Sequence, residues 1–117
     1  MATEPTRTAR GANESTVRYQ WVLGNGETGD AVLMPNYTER SVQVSGDFGA
    51  GGNVRIEGSL DGTYVPINDP QGNALDITAA KIETILEAVD YIRPTITAGD
   101  GTTALTVTIL FKRESQS

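Results

Sequence analysis

Apolar and polar residues alternate with a period of two along most of this chain. Within Leu105–Lys112, a Leu, a Val, an Ile and a Phe alternate with two threonines, Leu110 and a lysine. Such alternation is typical of a β-strand with one face on a core and the other toward water or a partner. Leu110 interrupts the polar face, so we expect it near a second contact.

Turn signals rich in glycine, aspartate and asparagine separate the alternating runs at intervals of about ten residues. The pattern predicts eight strands, at Val17–Leu23, Ala31–Pro35, Ser41–Ser45, Asn53–Ser59, Tyr64–Ile67, Ala74–Ile77, Tyr91–Thr97 and Thr103–Lys112. Short strands at this spacing predict an all-β fold, specifically a β-sandwich, with the jelly roll as one form of it.

The segment Lys81–Val89 fits two patterns. Its apolar residues at positions 82, 85, 86 and 89 follow helical spacing, which predicts a short helix or an irregular crossover. Lys81–Glu83 also alternates and lies between predicted strands, so a further strand is the alternative.

Pro94 lies inside the predicted strand Tyr91–Thr97. Proline has no backbone N–H to donate to a neighbouring strand, so it is found at sheet edges and bulges. The sequence therefore predicts an edge strand or a bulge here.

The first 15 residues are polar and nearly devoid of large apolar side chains. Such a segment cannot offset its ordering entropy by burying apolar surface, so we expect it to be disordered in a free monomer. We divide the chain into an extended N-terminal arm, residues 1–15, and a single β-sandwich domain, residues 16–117.

Charge is unevenly distributed. The net charge is −6, from 9 basic and 15 acidic residues, which argues against a nucleic-acid partner. The first 20 residues hold three arginines and two glutamates, a net charge of +1, so the remainder carries −7. A basic arm suits docking onto an acidic surface, and we predict partner contacts at Thr3, Arg7, Arg10 and Arg18. A solvated tail that contains three arginines by chance is the alternative.

The chain has no cysteine and no histidine. This excludes disulfides, thiolate metal sites and cysteine nucleophiles, and it removes the commonest general base near neutral pH. The aspartates lie mostly in predicted turns and do not follow the spacing of a calcium loop. We therefore predict a protein that is not an enzyme and that needs no metal or cofactor.

The glycine-rich stretch 46–53 lies between two alternating strands and lacks the lysine and helix of a phosphate-binding loop. It predicts a flexible hairpin loop that a partner can order, so we add Phe48 to the candidate partner contacts.

Two aromatic residues raise an alternative function. Trp21 and Tyr64 could stack on a sugar, as in a carbohydrate-binding β-sandwich module. Tyr19, Trp21 and Leu23 share one face of the first predicted strand, which instead favours Trp21 as a core residue.

Targeting signals are not apparent in the sequence. No segment approaches the ~18 consecutive apolar residues of a membrane span. The N-terminus has no apolar run of the kind that secretory signals contain, so we expect synthesis in the cytoplasm and no membrane partner.

Several motifs carry a family resemblance. Val54–Ile67 contains Glu-Gly-Ser and Asp-Gly in a strand–turn–strand unit, and Asp69–Leu75, Tyr91–Thr97 and a threonine-rich closing strand follow. Over roughly residues 40–112 the chain resembles small structural proteins of tailed bacteriophages, most closely head decoration (cement) proteins.

The resemblance implies a virion protein on the capsid surface that binds the major capsid protein and stabilises the shell. It also implies a homotrimer or homodimer, and it supplies no catalytic residue. A tail or head–tail connector subunit is the alternative within the same kind of particle.

Overall fold

The computed structural model describes residues 2–3, 5–10, 15–34, 36–87 and 89–113. In this part of the chain all regular structure is β. The strands are β1 (Ala2–Thr3), β2 (Thr6–Arg10), β3 (Thr16–Gly24), β4 (Thr28–Gly29), β5 (Val32–Leu33), β6 (Glu39–Asp47), β7 (Asn53–Ser59), β8 (Val65–Pro66), β9 (Asp76–Ile77), β10 (Lys81–Thr84), β11 (Tyr91–Ala98) and β12 (Ala104–Lys112).

The strands form two sheets. Sheet I has the order β10-β6-β12-β3-β2, and sheet II has the order β1-β4-β11-β7-β8, with β5 also paired to β11 and β9 to β7. If β4 with β5, and β8 with β9, are each counted as one strand, the chain from β3 onward has eight strands. In sheet I the first of these lies beside the eighth, the eighth beside the third, and the third beside the sixth. Sheet II then runs second-seventh-fourth-fifth. This is the strand order of a jelly roll, so the predicted fold class is confirmed.

The core lies between the inward faces of the two sheets. Trp21 is fully buried, and its indole Nε1 donates to the carbonyl oxygen of Asp30 at 3.0 Å. Tyr19 packs against both Trp21 and Phe111. The predicted core role of Trp21 is therefore confirmed, and the alternation of β12 buries its Leu, Val, Ile and Phe as predicted.

The five long strands agree with the sequence pattern within two residues at each end. The short strands agree less well, since the predicted Ala31–Pro35 is reduced to the two residues of β5, and Pro35 lies outside the described residues. Strand β4 was not predicted. Long alternating runs encode a strand directly, whereas two-residue strands are set by their neighbours.

The predicted helix or irregular crossover at Lys81–Val89 is wrong for its first half. Lys81–Thr84 is strand β10, paired with β6, as the alternative interpretation held. Ile85 then turns into the core, its N–H bonded to the carbonyl of Arg40 at 3.0 Å. The helical spacing arises because Ile82 lies on the outer face of β10 and Ile85 lies beyond the end of that strand.

Pro94 lies on an interior strand, so the predicted edge position is wrong, whereas the predicted bulge has a counterpart in the shift of register against β7 between Ile96 and Ala98. It pairs with Ile56, whose own N–H and C=O bond away from β11. Pro94 therefore turns its nitrogen toward the other neighbours of β11, and β5 and β4 pair with β11 on either side of this position. The gap between these two short strands removes the need for an N–H donor.

The N-terminal arm was expected to be disordered in a free monomer. In the structure Thr6–Arg10 instead pairs antiparallel with β3 and extends sheet I by one strand, while Ala2–Thr3 pairs parallel with β4 of sheet II. Main-chain hydrogen bonds to an open strand edge need no apolar side chains, which is why composition alone did not indicate this pairing.

Arg40 is a buried charge at one end of the sandwich. It is 2% exposed, and its guanidinium donates to the carbonyl oxygens of Tyr37 and Met34, both at 2.8 Å. The guanidinium also lies 5.5 Å from the centre of the Phe111 ring. Burial lowers the pKa of Arg40, and the negative charge of Asp90 opposes this shift.

Candidate interaction surface

The outward side chains of sheet I form a grid of rows that we call face I. Strand register places Thr8, Arg18, Leu110, Ser41 and Thr84 in one row. The next row consists of Thr6, Gln20, Thr108, Gln43 and Ile82. A shorter third row consists of Val22, Thr106 and Ser45.

The middle of face I is nearly free of charge. Gln20 donates to the Thr108 hydroxyl at 3.1 Å across neighbouring strands. Ile82 at one side is 65% exposed and Val22 at the other is 63% exposed, while Leu110 is half-buried between them. A shallow depression of about 360 Å³ lies over these rows and includes Arg18, Leu110 and Ile82 in its lining.

The outward side chains of sheet II, which we call face II, are different in character. Arg93 pairs with Glu57 at 3.0 Å, and Arg55 pairs with Asp76 at 3.1 Å. The guanidinium of Arg93 also lies 3.9 Å from the centre of the Tyr64 ring. These charges are satisfied within the face and remain hydrated, so a partner would have to desolvate them.

The two faces therefore differ in what binding would cost. Face I offers hydroxyls, amides and three apolar side chains in regular rows, and burying neutral groups costs less than burying ions when the hydroxyls and amides find hydrogen-bond partners. Face II would bury two ion pairs. Face I is the better candidate for contact with another protein.

The structure separates the predicted contact residues. Arg18 is exposed on face I. Arg7 is exposed on β2, opposite Tyr19 in the strand register. Thr3 and Arg10 belong to β1 and β2, but their side chains lie outside the described residues. The role of these four residues in binding remains a prediction.

Phe48 lies in the glycine-rich loop. This loop is not the predicted hairpin, because it connects β6 of sheet I to β7 of sheet II, and its flexibility stays a prediction. The Phe48 ring packs partly buried against the core, and its carbonyl accepts a hydrogen bond from the Thr103 hydroxyl at 3.0 Å. The Asp100 carboxylate accepts from the N–H of Ala50 at 2.8 Å and from Thr102. These hydrogen bonds lower the pKa of Asp100, the Ala50 N–H contributing most.

The aromatic residues that suggested sugar binding do not form a platform. Trp21 has no exposed surface, and one face of Tyr64 is covered by Arg93. The carbohydrate-binding alternative loses the ring on which it mainly depended.

Within the described residues, no group of three or more acidic side chains is placed to hold a metal ion. The same part of the chain contains no helix long and apolar enough to cross a membrane.

Sequence reasoning singled out Leu110 but not its neighbours Gln20, Gln43, Thr108 and Ile82. Their only sequence signal is an outward position in an alternating strand, which every exposed strand residue shares. Strand register, which is a tertiary property, brings them into one surface.

No protein-family model matches the chain, and no curated protein matches it. Among solved structures, the crystal structure of the SPBc2 prophage-derived protein YomS is similar with a TM-score of 0.65 at 11% sequence identity. The match covers 97% of this chain and 98% of YomS. The chain therefore shares its fold with a prophage-derived protein of nearly the same extent.

Two further structures are less similar. A cupin domain from Bordetella pertussis Tohama I has a TM-score of 0.48 at 14% identity, covering 97% of this chain and 98% of that chain. A protein from Neisseria meningitidis has a TM-score of 0.44 at 8% identity, covering 97% of this chain and 86% of that chain. Both scores are too low to support a functional statement.

Proposed function

We propose that this protein is a non-enzymatic structural component of a tailed-bacteriophage particle, a decoration protein that binds the major capsid protein on the outside of the shell. The observation that carries the proposal is the fold shared with a prophage-derived protein over 97% of the chain. The motif resemblance of Val54–Ile67 and the segments after it supports the same assignment.

The arm is the proposed capsid contact. Its strand β2 lies at the edge of sheet I, pairs with β3 on one side, and carries Arg7 and Arg10 in its sequence. An edge strand can accept a strand from a neighbouring protein, and arginines favour an acidic surface. Many such weak contacts act together on a shell whose subunits repeat, which is how a small protein can stabilise a large particle.

The proposal also covers location and partners. The protein is made in the host cytoplasm and ends on the capsid surface, with further copies of itself as a second partner. It requires no cofactor, nucleic acid or membrane. A tail or head–tail connector subunit is the alternative role within the same particle.

Co-sedimentation with capsids that lack this protein tests the proposal, with copies per shell counted by gel densitometry. We expect saturable binding in the hundreds of copies, matching the capsid lattice, whereas a connector would bind about a dozen. A variant lacking residues 2–15 should keep its fold and bind weakly. If the full chain does not bind, the decoration role is contradicted. If the shortened variant binds as well as the full chain, the role of the arm is contradicted.

A further inference from the structure

We propose that face I is the contact surface between two copies of this chain. The two copies are related by a two-fold axis that lies in the interface and is parallel to β12. Self-association is part of the proposed function. This arrangement, however, depends only on face I, and the purified protein tests it without a capsid. It assigns Arg18 and the outward side chains of β2 to the pairing surface and leaves the outer edge of β2 for the capsid contact.

The distribution of charge supports a second copy as the occupant. The described charged side chains on face I are Arg18, Lys112, Glu39 and Asp47, which cancel. The chain as a whole carries −6, so its acidic excess lies elsewhere. Two copies that meet on face I avoid the like-charge repulsion expected on the remaining, acidic surface.

Face I is also self-complementary about the proposed axis. β12 is the central strand of sheet I, with β3 on one side and β6 on the other. A two-fold rotation about an axis along β12 lays β3 of one copy over β6 of the other. Because β3 carries Arg18 and β6 carries two carboxylates, the rotation brings opposite charges together.

Strand register assigns the contacts row by row. Arg18 and Ser41 share a row, so the rotation sets Arg18 of one copy over the partner's Ser41. Glu39 lies two residues before Ser41 on β6, within reach of a long arginine side chain. Arg18 can therefore pair with the partner's Glu39. The next row sets Gln20 over the partner's Gln43, where two amides can exchange hydrogen bonds.

Leu110 lies next to the axis and faces the partner's Leu110 across it. This explains the apolar residue that interrupts the polar face of β12, since half-buried in one copy it becomes fully buried in two. The depression beside it provides room for the opposing side chains.

The available area is adequate for a specific but modest interface. Five strands about 4.8 Å apart and up to nine residues long give a footprint of about 600 Å² per copy. The pair buries about 1,200 Å², the lower end of the range for specific protein interfaces. Interfaces at this end of the range are typical of weak or transient contacts, so we expect a dissociation constant on the order of micromolar.

Light scattering coupled to size-exclusion chromatography tests the inference with the purified protein at about 100 µM, well above the expected dissociation constant. We expect twice the monomer mass of 12.4 kDa for the unaltered protein. Arg18→Glu and Glu39→Arg should each weaken the dimer at least tenfold, and the double variant should restore it. A monomer at every concentration, a trimer, or no restoration in the double variant would overturn the proposed arrangement.

Leu110→Lys should give a monomer, with Leu33→Lys as the matched control. Leu33 is 55% exposed on face II, so the same substitution there should leave the dimer intact. Unchanged Trp21 emission would show that each variant folds, and Thr108→Arg serves as a second face I variant. A dimer that survives both face I substitutions would overturn the inference, whether or not the protein binds capsids.

Discussion

Replacement of Gly29 by alanine tests how tightly the two sheets pack. Gly29 lies on β4 of sheet II, directly against the Trp21 indole from sheet I. A Cβ atom at Gly29 would lie 2.5 Å from Trp21 Cδ1, 2.7 Å from Trp21 Nε1 and 3.0 Å from Pro94 Cδ. Neither ring can move away cheaply, because Trp21 is fully buried and Pro94 belongs to an interior strand.

The expected cost follows from these contacts. Inserting a methyl group into a packed core costs about 2 kcal/mol. Displacing the indole also weakens the 3.0 Å hydrogen bond to the Asp30 carbonyl, a further loss of about 1 kcal/mol. With an m value of about 1.5 kcal/mol/M, a total loss of about 3 kcal/mol lowers the urea midpoint by about 2 M.

Urea unfolding followed by Trp21 fluorescence measures this change, because Trp21 is the only tryptophan. Gly101→Ala is the matched control, since a Cβ there would meet no atom within 4 Å. We expect the control to change the free energy of unfolding by less than about 0.5 kcal/mol. If Gly29→Ala is equally harmless, the close approach of β4 to Trp21 is not a feature of the folded protein.

Three further predictions concern other parts of the molecule. Arg40→Met should lower the free energy of unfolding by about 2 kcal/mol in urea titrations, because the carbonyls of Met34 and Tyr37 lose buried donors; an unchanged midpoint would contradict this. Asp100 has a pKa below its ordinary value of 3.8, so its contribution is present above that pH and disappears as the pH falls through the lower folded-state pKa. Asp100→Asn should therefore destabilise the protein near neutral pH, and unfolding titrations should show the difference from the unaltered protein shrinking below about pH 4. A variant lacking residues 2–15 should retain the near-ultraviolet circular dichroism of the buried aromatic rings, and loss of that signal would show that the arm is needed for folding.

The candidate surface was only partly visible in the sequence. The interruption of β12 by Leu110 predicts a contact there, and the positive charge of Arg18 predicts another. Gln20 and Gln43 carried no signal, because their pairing depends on which strands flank β12. The alternation along each strand says which face is buried but not which strands, distant in the chain, become its neighbours.

The sequence by itself determined the long strands and their buried sides, because a period-two alternation can bury only one face of a strand. It also favoured Trp21 as a core residue, which the structure confirms. Only the tertiary structure decided that Lys81–Thr84 is a strand, since its apolar residues fit two periods and the open edge of β6 selects one.

Pro94 and the arm make the same point about main-chain hydrogen bonds. A proline is excluded from an interior strand only if a neighbour needs its missing N–H, and here the gap between β5 and β4 removes that need. A polar segment is excluded from a sheet only if buried side chains are needed to keep it in place. Here backbone hydrogen bonds to the edge of β3 keep the arm in sheet I instead. The periodicity of the sequence reports which side chains are buried. The sheets, however, are joined by backbone hydrogen bonds, and the partners of these bonds come together only when the chain folds.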